Sequence, residues 1–167
     1  MENRVREGQF EDAAAINQIY NWYVENSTVT FDIKPWTLQK RQTWFEQFLT
    51  PSKRYNLMVA LEHNRVVGIA YNGQFRTKAA YDSSTEVTVY THHDDAPGGT
   101  GSRLMEKLFK RIANTDLHRA YAVIALPNDA SIRLHKKFDF KHIGTLDQVG
   151  TKFNRRIDVA WYQKHLN

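Results

Sequence analysis

Cysteine is absent from all 167 residues. That removes disulfides, thiolate nucleophiles and cysteine metal sites at once, and a reducing cytoplasm is the simplest setting for such a chain. Long apolar runs are missing as well. The longest, Ala120 to Leu126, is far too short to cross a bilayer, so no membrane partner is expected. The opening Met1-Glu2-Asn3-Arg4-Val5-Arg6 carries acid early and has no apolar core of the kind a signal peptide needs. Low-complexity tracts, linkers and fixed-period repeats are also lacking, and the length suits one domain over 1–167.

A block of like charge is the last absence. Lys and Arg are scattered, so the net charge of +5 does not describe a nucleic-acid arm. A surplus of this size suits a polyphosphate ligand or serves only solubility. Hydrophobic residues at 41% and charged residues at 25% are ordinary for a globular protein, so composition does not choose between these.

What is present is a regular alternation of strand and helix signals. Val5 to Gly8 reads as a first strand. A helix over about 11–25 sets Ile16, Ile19, Tyr20 and Tyr23 on one face. Thr37 can cap a second helix that carries Trp44, Phe45 and Phe48 inward. Strands over 56–62 and 66–75 flank a turn at His63-Asn64, with Gly68 marking a bulge or a close backbone neighbour. The strand over 85–92 turns Val87 and Val89 to one face and Glu86, Thr88 and Tyr90 to the other. A helix over 101–114, a buried strand over 120–126 and a short helix capped by Asn128 or Asp129 follow. Strands over 140–149 and 156–165, around a turn at Asn154-Arg155, end the chain. The order predicts an α/β sandwich with a mixed sheet.

The segment Ala96-Pro97-Gly98-Gly99-Thr100-Gly101-Ser102 joins a strand to an amphipathic helix. Its glycines allow a tight turn and close approach of a ligand, and unpaired amides at a helix start attract an anion. A dinucleotide fingerprint is excluded by context, and a Walker loop by the missing Gly-Lys-Ser/Thr ending. Taken alone, a glycine cluster is more often a plain turn than an anion site. The pair His92-His93 beside Asp94-Asp95 resembles a metal cluster. Neighbouring strand residues point to opposite faces, however, so the segment reads as solvated and no metal is expected.

From Glu86 through Phe140 the chain resembles the core of the GCN5-related N-acetyltransferases. In that superfamily an Arg/Gln-x-x-Gly-x-Gly/Ala loop binds the coenzyme A pyrophosphate. Here Gly99 and Gly101 match the motif glycines, and Ala96 replaces the Arg or Gln. A second signature, Asn-x-x-Ala/Ser-x-x-x-Tyr-x-Lys-x-Gly-Phe, is met by Asn128, Ser131, Lys137 and Phe140, with His135 for Tyr and Asp139 for Gly. Asp tolerates the left-handed conformation better than most residues, so that exchange is mild. Similarity to the phosphinothricin and methionine sulfoximine acetyltransferases is nearly full-length. It includes Ile19-Tyr20-Asn21, Ser27-Thr28-Val29-Thr30-Phe31, Ala80-Tyr81, Glu86-Val87-Thr88-Val89-Tyr90, Leu126-Pro127-Asn128-Asp129 and Ser131-Ile132-Arg133-Leu134-His135.

The resemblance implies a GNAT-type three-layer sandwich whose mixed, mostly antiparallel sheet is flanked by helices. It also implies acetyl-CoA as co-substrate, a small-molecule amine as acceptor and a homodimer to which Trp161 and Tyr162 contribute, unless those two are core. Glu86 becomes the base that neutralises the acceptor ammonium, because only the neutral amine has a lone pair to attack with. His135 becomes a second titrating group, able to protonate the departing thiolate or to assist deprotonation. Val89, Tyr90, Thr91, Gly98, Gly99, Thr100, Gly101, Ser102, Asn128 and Ser131 are expected to hold the coenzyme, with the Val89 amide facing the oxyanion. Phe31, Arg76 and Thr88 are expected at the acceptor. With no cysteine, transfer is expected to be direct. An enzyme acting on peptide amino termini and a non-catalytic acyl-CoA-binding module are the alternatives.

Overall fold

A computed structural model describes residues 4–166. The residues Met1, Glu2 and Asn3, on which part of the signal-peptide reading rests, lie outside the described residues. Strands β1 (Arg4–Glu7), β2 (Leu57–Glu62), β3 (Arg65–Gln74), β4 (Ser84–Thr91), β5 (Arg119–Ala125), β6 (Lys141–Lys152) and β7 (Arg155–His165) form one sheet of order β1-β2-β3-β4-β5-β7-β6. Every neighbouring pair is antiparallel except β4 with β5. Helices α1 (Ala13–Asn26) and α2 (Leu38–Phe45) pack on one face, α3 (Thr100–Ile112) and α4 (Asp129–Lys137) on the other. The expected element order and the three layers are both observed.

Local chemistry accounts for the helix ends. Asp12 accepts from the Gln9 amide at 2.7 Å and takes a two-pronged pair from Arg6 at 2.7 and 2.9 Å, fixing the entry to α1. Thr37 caps α2 as expected, its hydroxyl accepting from Lys40 N at 3.2 Å. Asn128 caps α4 by accepting from Ser131 N at 3.2 Å. Asp139 ends that helix with φ +64°, the left-handed conformation its place in the signature demands.

Two apolar cores lie on opposite faces of the sheet. Leu104, Met105, Leu108 and Ile112 of α3 are buried against Met58, Ala70, Val87, Ala122 and Tyr162. Ala13, Ile16, Phe45 and Phe48 cover Leu57, Val59 and Ile69. Gly68 fulfils both readings given for it. The register slips one residue beside it, and an added Cβ would stand 3.1 Å from Leu104 and from Thr100. The start of α3 therefore rests directly on β3.

Most boundaries shift by one or two residues, and the largest difference is at β6. Strand β6 continues to Lys152, three residues past the expected end, and the turn is Phe153-Asn154, with φ of +52° and +55°. A bulge around Gln148, at φ +46°, interrupts the alternation that a periodicity reading follows.

Candidate active site

The site originates in incomplete pairing of the one parallel pair. β4 and β5 are in register over Ser84–Glu86 and Arg119–Tyr121, and beyond Glu86 they separate. β4 stays paired with β3 as far as Thr91, so the edge of 87–91 that faces β5 loses its ladder. Buried backbone groups without partners are costly, so an open edge of this kind is a docking edge for an amide-bearing ligand. The gap is a cavity of about 430 Å³. β4 and β5 form its walls, the glycine loop and the first turn of α3 one end, and α4 the other.

Eight of the ten residues expected to hold the coenzyme line this cavity: Val89, Tyr90, Thr91, Gly99, Gly101, Ser102, Asn128 and Ser131. Gly99 needs its lack of a side chain, having φ +83°. At Gly101 an added Cβ would meet Leu134 at 3.1 Å, so this glycine lets α3 and α4 close on each other. The first intrahelical bond runs from Arg103 N to Gly99 O, which leaves the Gly101 and Ser102 amides ahead of it for an anion.

Thr100 is a correction. Its amide donates to Pro97 O at 3.2 Å and its hydroxyl to the same carbonyl at 2.7 Å, while its methyl faces Gly68. The loop closes on itself through Thr100 and does not offer it to a ligand. Gly98 is exposed and lies outside the cavity wall.

Glu86 stands where the strands part, the last β4 residue in register with β5. Burial pushes its carboxyl above the ordinary carboxylate value, and the Arg76 guanidinium pulls it part of the way back. On the same face, Phe75 stacks on Tyr121 with centroids 4.4 Å apart. Arg76 lies over Phe75 at 4.5 Å and over Trp161 at 5.1 Å. Trp161 thus belongs to an aromatic wall, whereas Tyr162 is core at 4% exposed. Thr88 lines the cavity; Phe31 and Arg76 do not. Phe31 lies instead on Gly150 of β6, where any side chain would collide with its ring. Its segment is tied down by Tyr20 and Lys152 on Thr30, each at 2.9 Å, and by Trp36 on Asp32 at 2.8 Å.

His135 lines the far wall and is 3% exposed. Its Nδ1–H donates to the Ser131 carbonyl at 2.8 Å, which fixes the tautomer and leaves Nε2 as a buried acceptor with no partner. Burial lowers the ring's pKa, and the bond to Ser131 only partly opposes this. At neutral pH the ring is neutral. Of the two roles expected for it, donation from a stored imidazolium does not fit this environment; acceptance at Nε2 does.

Three features escaped sequence reasoning. Tyr23, read only as an apolar face position, lines the cavity and donates its hydroxyl to Thr91 O at 2.6 Å. Any ligand contact to that carbonyl must share it. Arg41 is 1% exposed and caged by the rings of Trp36, Trp44 and Tyr20 at 4.2, 4.4 and 4.7 Å. The His92-His93 segment is solvent-facing as expected, with His93, Asp94 and Asp95 exposed, but its rings are ordered by stacking that the sequence did not announce. The two rings stack at 4.6 Å, and His93 lies flat on Trp22 at 4.0 Å. β4 has ended by then, so strand alternation no longer separates them. Among the described residues no three His, Asp or Glu side chains converge on a metal position.

A family model described as an acetyltransferase (GNAT) domain matches residues 6–161. The phosphinothricin N-acetyltransferase of Streptomyces coelicolor is 43% identical over 167 residues, covering 99% of this chain and 97% of its own. The L-methionine sulfoximine/L-methionine sulfone acetyltransferase of Pseudomonas aeruginosa is 32% identical, with coverage of 100% and 96%. Among solved structures, a phosphinothricin acetyltransferase from Sinorhizobium meliloti in complex with acetyl-CoA superposes with a TM-score of 0.90 at 27% identity, covering 100% of this chain and 90% of that one.

Proposed function

The chain belongs to the GNAT family of acetyltransferases and is an acetyl-CoA-dependent N-acetyltransferase, and from that premise we propose that it acetylates the α-amine of a small amino-acid-like acceptor, such as phosphinothricin or methionine sulfoximine, directly within a ternary complex. The observation that carries this reading is the parted β4–β5 pair, with a glycine-rich helix start at one end of the gap and a buried carboxyl where it begins.

The residues present fit the co-substrate. The Gly101 and Ser102 amides suit the diphosphate, and the open edge of 87–91 suits the amide-bearing arm. Bound acetyl-CoA supplies the thioester. Glu86 takes a proton from the acceptor ammonium, directly or through one water, and burial, by raising its pKa, makes it a better base than a surface carboxylate. The Val89 amide is the donor for negative charge on the carbonyl oxygen. His135 accepts at Nε2. Arg76, over its aromatic wall, and Phe31, on its tied loop, contact the acceptor together with Thr88, which lines the cavity.

We further infer a homodimer. β6 is the sheet edge, and Ile143, Leu146, Val149 and Phe153 on or beside it are 46–54% exposed, a surface that a lone chain keeps at the risk of aggregation. The lack of cysteine suits the reducing cytoplasm, where we place the protein.

A thiol-release assay with acetyl-CoA against phosphinothricin, methionine sulfoximine, methionine sulfone and free amino acids tests the reading. Turnover with small zwitterionic amines supports it. Turnover only with peptide amino termini, or an isolable acetyl-enzyme, contradicts it.

A further inference from the structure

Ala96 stands at the loop position where the family motif carries Arg or Gln, and it is packed against the core. Among the described residues that line the cavity there is no lysine or arginine. Helix-start amides hold an anion through hydrogen bonds and partial charges, which leaves most of a diphosphate's charge uncompensated. Two cations on the rim bear on this deficit, in different ways.

Arg103 folds back over the outside of the loop. Its Nη1 and Nη2 both reach Gly98 O at 3.4 Å, and Nη2 donates to Thr100 Oγ1 at 3.1 Å. The C=O and N–H of a trans peptide point opposite ways. Holding the Gly98 carbonyl from outside therefore turns the Gly99 amide away from Arg103, and Gly99 is a cavity-lining residue. Arg103 is a positioning residue for the turn, with its charge engaged behind it.

Lys137 is placed differently. It ends α4, and its Nζ donates to Ser102 Oγ at 3.1 Å, across 35 positions of sequence. Ser102 carries one of the two amides left ahead of the helix ladder and lines the cavity. The ammonium thus stands against the anion cradle, on the other helix that bounds the gap. The nearby carboxylate, Glu106, feels Lys137 but is paired with Lys110 at 2.8 Å.

We propose that Lys137 supplies from α4 the cation that Ala96 withholds from the loop, contacting the coenzyme's diphosphate together with the Ser102 hydroxyl. This rests on the acetyl-CoA reading above. Calorimetric titration of coenzyme A and 3′-dephospho-coenzyme A into wild type, Lys137→Met and Lys137→Arg tests it, with thermal melts confirming that each variant is folded. Loss of one partly exposed charge-assisted contact predicts Kd raised about tenfold in Lys137→Met for both ligands, and largely restored in Lys137→Arg. Unchanged affinity in Lys137→Met overturns the proposal and leaves the acetyl-CoA reading standing. A loss seen with coenzyme A but not with the dephospho form also overturns it, because the lysine then reads the ribose phosphate. Wild type that binds neither ligand overturns both.

Discussion

The two halves of β4 share one strand and one partner on their left, yet they do different work. Over 84–86 the strand is hydrogen-bonded on both sides, and Thr85 is buried outright. Over 87–91 it keeps β3 but loses β5. The first half is ordinary sheet interior. The second is an edge created inside a sheet, protected from misuse because α3, α4 and α1 enclose it. Glu86 sits at the change. Its backbone is in register with both neighbours, Gly73 and Tyr121, and the gap opens at the next residue, Val87.

Breaking the junction should have the largest effect. Glu86→Gln removes the base without removing hydrogen-bonding shape, and turnover should fall about 10²- to 10⁴-fold with coenzyme affinity retained. Normal turnover would remove Glu86 from the mechanism. The same residue sets a pH signature. Its pKa lies above the ordinary 4.5, so the acid limb of kcat should have a midpoint above that value in wild type and be absent in Glu86→Gln.

Closing the open half comes next. Gly101→Val places atoms where Leu134 already stands 3.1 Å from a lone Cβ, which must push α3 from α4. Coenzyme affinity should drop about a hundredfold by calorimetry, as the amide cradle is displaced. Retained affinity would mean that the cradle is not the binding site.

His135, on the opposite wall, sharpens the comparison through stability. Its folded pKa is lowered, so the unfolded chain binds the proton more readily. Stability should therefore fall as pH drops below the unfolded value of about 6.5 and level off below the folded one. Urea melts should show this slope in wild type and lose it in His135→Gln.

The smallest effect is expected from Tyr23→Phe. It deletes only the hydroxyl on Thr91 O, and coenzyme Kd should change about two- to fivefold.

Much of this arrangement was legible in the sequence because it is local. The glycine loop, the Thr37 cap and the left-handed Asp139 are each decided within a few residues, and the alternation of Glu86 with Val87 follows from strand geometry alone. What was not legible depends on distant partners. Tyr23 meets Thr91 and His93 meets Trp22 across the fold, and no periodicity reports such contacts. Thr100 shows a subtler failure. The loop was rightly located, but which of its amides point outward is set by Pro97 and Arg103 and not by the count of glycines.

Backbone amide NMR during a coenzyme A titration tests the central claim most directly. The account predicts the largest shifts at Gly99, Gly101, Ser102 and the 87–91 segment, with little change over 84–86. Shifts concentrated elsewhere, with those amides unmoved at saturation, would contradict it.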